Sequence, residues 1–261
     1  MLGQIWRHRV MVSGLVRRDL QSRYAGSALG MLWTLLQPLL YLCIYLIVFS
    51  WILQVKFTEG GKSGNFALYL VAGLLPWLAF NDGVLKAAGS VVENAGLVKG
   101  VSFPAVVLVA SSILASIANL LIGIGVFLVV LLCTGHLSWP GLLFLPFLLC
   151  IQMIFAFGLG LFAASLYTFL RDLMPVLQLG LTVWFYLTPI IYPLSYVPEQ
   201  LKSVVSFNPF TPLVSAYRIT LIEGAVPSGG GLLVAATWTI VAVFIGSFIF
   251  TRVEPGFAEV L

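Results

Sequence analysis

The sequence predicts an all-α membrane protein with six transmembrane helices and an amphipathic interface helix ahead of the first of them. Three observations lead there. Hydrophobic residues fill 61% of the 261 positions and charged residues only 8%, where a soluble domain carries about 25% charge. The chain therefore lacks the polar surface to face water all round. Six stretches stay apolar over about 20 residues, the length that crosses a hydrocarbon core. The cations are also unevenly placed: Arg7, Arg9, Arg17, Arg18 and Arg23, five of the thirteen Lys and Arg, precede the long apolar runs.

The six stretches are roughly 31–55, 66–84, 104–133, 141–168, 174–194 and 230–252. Only helices or closed barrels satisfy the backbone in lipid, and runs this long exclude barrel strands. The fifth is the weakest, because Pro189 and Pro193 interrupt its end. An even number of spans puts both termini on one side. The connections on that side, with Arg252 at a helix end, hold nine Lys and Arg, and the opposite side holds four: Lys56, Lys62, Lys202 and Arg218. The positive-inside rule then predicts cytoplasmic termini in a cytoplasmic (inner) membrane. No repeat or linker divides the chain. It reads as a single transmembrane domain over 1–261, with an interface segment 1–30, a six-helix region 31–252 and a cytoplasmic tail 253–261. No cleavable leader is expected, since the first apolar run is too long for one.

Within the first segment, Ile5, Val12, Leu15, Val16 and Leu20 share one helical face, and Arg7, Arg17 and Arg18 lie away from it. Arg9 and Arg23 interrupt the stripe. Such a helix lies in the interface plane, which makes membrane lipids a partner. Nucleic acid is excluded as one, because no extended basic face tracks phosphates.

Few motifs carry chemistry. Gly61-Lys62-Ser63 lacks the preceding glycine of a phosphate loop, whose place is taken by Lys56, and reads as a polar loop. Gly158-Leu159-Gly160 and the Gly26 to Gly30 stretch suit close helix packing. Cys43, Cys133 and Cys150 have no metal-ligand spacing and read as small buried apolar residues. No cofactor, metal site or catalytic constellation is expected in this chain. Asp82 and Lys86 are the nearest ionisable groups to a membrane interior. Their scarcity argues against a proton-coupled carrier and places the energy source in a partner subunit.

Several blocks carry a resemblance. They are Arg18-Asp19-Leu20-Gln21-Ser22-Arg23-Tyr24-Ala25-Gly26 continuing to Trp33, then Gln37-Pro38-Leu39, Gly73-Leu74-Leu75-Pro76-Trp77, Asn94 to Pro104, Arg171-Asp172 and Phe207-Asn208-Pro209. In this order the chain resembles ABC-2 type permeases, in the branch that exports O-antigen, capsular polysaccharide and teichoic acid. The resemblance implies six helices per subunit, a homodimer, and a separate ABC ATPase subunit that binds ATP and Mg. It also implies a glycan substrate on a lipid carrier.

Four groups of residues take roles under that resemblance. Arg17, Arg18 and Arg23 are candidates for the anionic headgroup of the substrate, because the guanidinium fork suits phosphate oxygens. Trp33, Tyr41, Tyr45 and Phe49 recur along one broad face of the first span and could line a sugar path, although interfacial aromatics show the same pattern. Residues 87–103, with Glu93, Asn94 and Lys99, read as the ATPase coupling segment. Residues 189–222 are proline-broken yet apolar, so they are buried in protein or line a cavity; the resemblance makes them a re-entrant outer gate between helices 5 and 6, carrying Pro189, Tyr192, Pro209 and Pro212. Three other readings stay open: a permease for a drug or simple lipid, a membrane enzyme of polyprenyl-phosphate metabolism, and a membrane subunit with no transport of its own.

Overall fold

The computed structural model describes residues 2–22, 29, 32–45, 47–48, 52, 57–59, 62–64, 66–100, 103–135 and 139–261. Two short helices, α1 (Leu2–Arg7) and α2 (Arg9–Ser22), lead to α3 (Leu32–Tyr45). A small antiparallel hairpin follows, β1 (Phe57–Glu59) on β2 (Lys62–Gly64), with Thr58 opposite Ser63. The stretch expected to be a polar loop around Lys62 is thus a paired strand. Then come α4 (Phe66–Glu93), α5 (Ala95–Gly100), α6 (Val106–Cys133), α7 (Trp139–Leu142), α8 (Leu145–Phe169) and α9 (Leu173–Leu187). The chain closes with α10 (Glu199–Phe207), α11 (Phe210–Arg218), a π-helical turn at Ile219–Glu223, α12 (Gly229–Val253) and α13 (Phe257–Val260).

Four helical stretches among the described residues are long and apolar enough to cross a membrane: Phe66–Glu93, Val106–Cys133, Trp139–Phe169 and Gly229–Val260. Leu36–Tyr45 and Leu173–Leu187 are apolar but shorter. The 15 residues of α9 reach about 22 Å at roughly 1.5 Å per residue, short of a hydrocarbon core of about 30 Å. The expected fifth span, 174–194, stops early because Thr188 precedes Pro189. A residue before proline is driven out of the α region, and Thr188 is extended, at φ −96° and ψ 134°.

α4 is the centre of the bundle, and every residue from Phe66 to Trp77 is buried. α6 and α8 pack on it, α3 and α11 flank it, and α12 lies on α8. The expected second span, 66–84, runs on to Glu93. Small residues let it do so: a methyl at Gly83 would stand 2.5 Å from Ser116 Oγ, and one at Gly160 of α8 would stand 2.8 Å from Ala87 Cβ. Ala87, Ala88 and Val91 are buried as a result, so the expected coupling segment 87–103 is helix through Glu93 and becomes a separate short element only at α5.

α8 and α12 touch backbone to backbone. A Cβ on Gly158 would lie 2.5 Å from Val243 N, and one on Gly246 would overlap the Gly158 carbonyl oxygen. The Gly158 and Gly160 positions therefore do what their sizes suggest.

The N-terminal segment is two helices with a break at His8. Val12 is buried, while Ile5, Leu15 and Val16 pack partly buried against the core; Arg17 and Arg18 are exposed. Cys43, Cys133 and Cys150 are exposed on the chain's own surface, so the expectation that they are buried within the chain does not hold. A cysteine in an apolar run can equally face lipid or a neighbouring subunit. Gly26 to Gly30 lies, but for Leu29, outside the described residues.

Candidate functional site

Two polar cavities meet inside this apolar bundle. The first, about 360 Å³, opens between α3, α4 and α6 and is lined by Gln37, Tyr41, Asn81, Asp82, Lys86 and Asn119 among others. On α4 the lining residues Leu75, Leu78, Ala79, Asp82 and Lys86 share one helical face, with Asn81 at its edge. The second, about 240 Å³, lies between α2, α4 and α6, with Arg18, Asp19, Ser22, Lys86, Glu93 and Asn94 on its walls. Lys86 lines both, so together they form one polar track. It leads from α2 to the middle of α4 and α6.

Polar side chains hold that track in place. Lys86 Nζ lies 3.3 Å from Asp19 Oδ1 and 3.8 Å from Asp82 Oδ1, which ties α2 to α4. Arg18 Nη2 donates to Asn94 Oδ1 at 2.7 Å, and Asn94 Nδ2 donates to the Ser90 carbonyl at 2.8 Å. The expected headgroup arginine and the expected coupling asparagine are therefore bonded to each other. Tyr41 stacks on Tyr45 with ring centroids 6.3 Å apart, and Gln37 Nε2 reaches Tyr41 Oη at 3.5 Å. Gln37, Asn81, Asp82 and Asn119 keep amide or carboxylate groups at the cavity wall, where the amides can both donate and accept and the carboxylate accepts.

The far end of the bundle is built around Arg218, which is only 5% exposed. Its guanidinium donates to the Tyr69 carbonyl (3.1 Å), Tyr69 Oη (2.7 Å), the Pro189 carbonyl (2.8 Å) and the Ile190 carbonyl (2.6 Å), and it lies over the Tyr69 ring at 3.5 Å. The carbonyls of Pro189 and Ile190 need such a donor because α9 has ended and no helical N–H follows. Gly73 leaves the room: a Cβ there would stand 2.9 Å from Arg218 Nη2.

Further along α4, Phe210 packs on Trp77 at 4.9 Å and on Phe80 at 4.7 Å, while Phe80 also packs on Phe155 and Trp184. α11 thus meets α4 at Tyr69 with its C-terminal end and at Trp77 and Phe80 with its N-terminal end. Asn208 fastens the turn before it. Its Oδ1 accepts from Trp184 Nε1 (2.8 Å) and Phe210 N (3.0 Å), and its Nδ2 donates to Thr188 Oγ1 (2.9 Å). Thr211 Oγ1, Tyr217 Oη and Thr220 Oγ1 are buried without a hydrogen-bond partner among the described residues. All three sit on α11 and the π turn.

The residues expected from sequence distribute as follows. Arg18 and Asn94 meet, with Glu93 on the same cavity wall, and Lys99 lies in α5. Arg17 is exposed on α2. Tyr41 faces the polar cavity, Tyr45 packs partly buried against the core, and Trp33 is half-buried in α3. Arg23 and Phe49 lie outside the described residues. Pro189 offers its carbonyl to Arg218, Tyr192 Oη donates to the Tyr186 carbonyl at 3.0 Å, and Pro209 and Pro212 open α11. Sequence reasoning missed Gln37, Asn81 and Asn119, which are uncharged, and it counted Arg218 as a loop cation. An amide within an apolar run was the available signal.

An apolar bundle with four helices long enough to cross a membrane, and two polar cavities that share Lys86, has the build of a polytopic membrane protein. The profile of the family described as ABC-2 type transporter matches residues 12–222. Relatives include the O-antigen export system permease protein RfbA of Myxococcus xanthus, 30% identical over 98% of this chain and 97% of that protein. The protein of the same name from Klebsiella pneumoniae is 30% identical over 95% of this chain and 93% of its own length. The polysialic acid transport protein KpsM of Escherichia coli is 25% identical over 94% and 95%. This chain belongs to the ABC-2 type transporter family.

Proposed function

We propose that the chain is the membrane subunit of an ATP-driven exporter that moves a lipid-linked polysaccharide of the O-antigen, capsule or teichoic-acid type across the cytoplasmic membrane. The polar track is the observation that carries this reading. It joins the basic interface helix to a cavity of amides, a carboxylate and Tyr41 within an otherwise apolar bundle, and relatives named for O-antigen and polysialic acid share nearly the whole chain.

On this reading the chain is one membrane domain with six spans, in which the shorter α3 and α9 complete the four long helices at the edge of the bundle. Both termini are cytoplasmic, which places the arginine-rich α2 and the Asp19–Lys86 pair at the inner leaflet. Arg17, Arg18 and Arg23 meet the anionic headgroup of the substrate there. The amides of Asn81 and Asn119 bond sugar hydroxyls, and the faces of Trp33, Tyr41, Tyr45 and Phe49 pack on sugar C–H groups without fixing a register.

Two copies form the pathway, and two ABC ATPase subunits supply the energy from ATP and Mg. Glu93, Asn94 and Lys99 take up the ATPase motion, and the Arg18–Asn94 bond passes it to α2. The segment 189–222 is a re-entrant outer gate, with its deepest point at Asn208–Phe210. The contacts of Phe210 with Trp77 and Phe80, about 12 to 16 Å along α4 from the Tyr69 level, support that depth.

The test is to purify the chain with its ATPase, reconstitute the pair, and measure ATP hydrolysis with and without lipid-linked glycan. Stimulation by the glycan supports the proposal. Stimulation by simple lipids or drugs alone, or failure to form any ATPase complex, overturns it.

A further inference from the structure

A further cavity, larger than those of the polar track, lies apart from it. It is an apolar groove of about 710 Å³ between α6, α8 and α12, with Ala110, Ile113, Met153, Phe157, Phe244 and Phe248 among its lining and Ile5 of α1 at one end. This is the size of a small-molecule site. Two hydroxyls, of Ser247 and Thr251, also line it. Each donates back to its own helix, Ser247 Oγ to the Val243 carbonyl and Thr251 Oγ1 to the Ser247 carbonyl, so the wall presents hydrocarbon and no donor aimed at a polar solute. Along α12 the groove extends from Val243 to Thr251, roughly 12 Å, slightly less than half of a hydrocarbon core of about 30 Å. It is one leaflet deep.

Two arginines stand close in sequence to lining residues, Arg252 beside Thr251 and Arg9 one turn after Ile5. Arg252 holds its guanidinium over the ring of Phe248 at 4.9 Å, and Arg9 holds its own over Trp6, the neighbour of Ile5, at 5.6 Å. Both arginines are exposed, and neither forms an ion pair among the described residues. Glu254 is the nearby carboxylate in sequence, and it accepts from the Ala105 amide at 3.1 Å and is thereby turned toward the start of α6.

We infer that this groove is a binding site for an anionic glycerophospholipid of the leaflet that holds α1 and α2, with one acyl chain along Phe157, Phe244 and Phe248, the phosphate at Arg252, and Arg9 adding positive charge from the α1–α2 side. The inference rests on the reading that the chain spans a membrane, and not on which solute the polar track carries. The occupant is a phospholipid because the groove supplies a chain-length apolar wall with arginine beside it, and nothing along it that bonds a sugar. Its role is to dock α1 against α6, α8 and α12, since Ile5 is the wall that the acyl chain touches.

The experiment is native mass spectrometry of the purified full chain, incubated with equal amounts of phosphatidylglycerol and phosphatidylcholine. Preferential retention of phosphatidylglycerol is expected, falling about fivefold with Arg252→Gln and again with Arg9→Gln, from the usual contribution of one basic residue near an anionic surface. Both residues are exposed, so the variants fold. Phe248→Ala, which removes a wall, should weaken retention of both lipids. Equal retention of the two lipids, retention of phosphatidylglycerol unchanged in the double arginine variant, or protection of the groove by a second copy of the chain each overturns the inference.

Discussion

Replacing Arg218 with methionine removes the donor to four acceptor positions while keeping an apolar stem of similar length. The carbonyls of Pro189 and Ile190 and the hydroxyl of Tyr69 then lose the hydrogen bonds they accept from the guanidinium in a buried setting. Each hydrogen bond to a charged group contributes about 1.5 to 3 kcal/mol. Against that, the variant no longer buries a guanidinium, a saving of several kcal/mol. The net expected loss is about 3 kcal/mol, or about 6 to 12 °C in midpoint by the scaling for chains of 150–250 residues. Arg218→Lys keeps the charge but loses the planar fork, so it should fall between. Gly73→Ala adds a methyl 2.9 Å from Arg218 Nη2 and should destabilise the wild type more than it destabilises Arg218→Met, whose side chain can give way. Thermal unfolding of the detergent-purified chain measures the wild type, the three single variants and the Gly73→Ala/Arg218→Met double variant. Wild-type stability in Arg218→Met, or strictly additive effects with Gly73→Ala, would refute the cage as the element joining α4, α9 and α11.

Three further outcomes follow from the packing. Gly158→Leu or Gly246→Leu should abolish the monodisperse folded protein on size-exclusion chromatography, because the added Cβ meets backbone that cannot yield. Asn208→Ala should cost about 2 kcal/mol by leaving the Trp184 indole unpaired, while Asn208→Asp, which keeps the acceptor, should cost about half as much; chemical denaturation followed by Trp fluorescence reads both. Lys86→Ala breaks a pair whose side chains are 31% and 28% exposed, so stability should change by no more than about 1 kcal/mol. Glycan-stimulated ATP hydrolysis in the reconstituted complex should nonetheless drop, and unchanged stimulation would remove Lys86 from the track.

The long apolar runs were legible because hydropathy over about 20 residues is a property of local sequence, and α6, α8 and α12 sit where those runs are. α4 was underestimated because Asp82 and Lys86 lower the local hydropathy, while the helix is continued by Gly83, Ala87 and Gly89 fitting against α6 and α8, which only the packing reveals. The end of α9 was half legible: Pro189 announced a break, but the exact stop depends on Thr188 turning extended. Arg218 was the least legible. Its charge argued for a loop, and its burial depends on carbonyls 28 and 29 residues earlier and on a glycine in another helix. The polar track was hidden for a related reason. Its amides carry no charge, and Asn81 and Asn119 become neighbours only when α4 and α6 pair.

The glycine crossing of α8 and α12 also governs how the protein can deform. Where two backbones touch, neither helix can slide or roll without breaking van der Waals contact along the whole seam, and α4 is held to α8 by the same small-residue fit at Gly160 and Ala87. These three helices therefore act as a stator. Under the proposed transport function, displacement would fall to the elements hung on its rim, namely α2, α3 and α10, and to α9 and α11 only where the Arg218 cage opens.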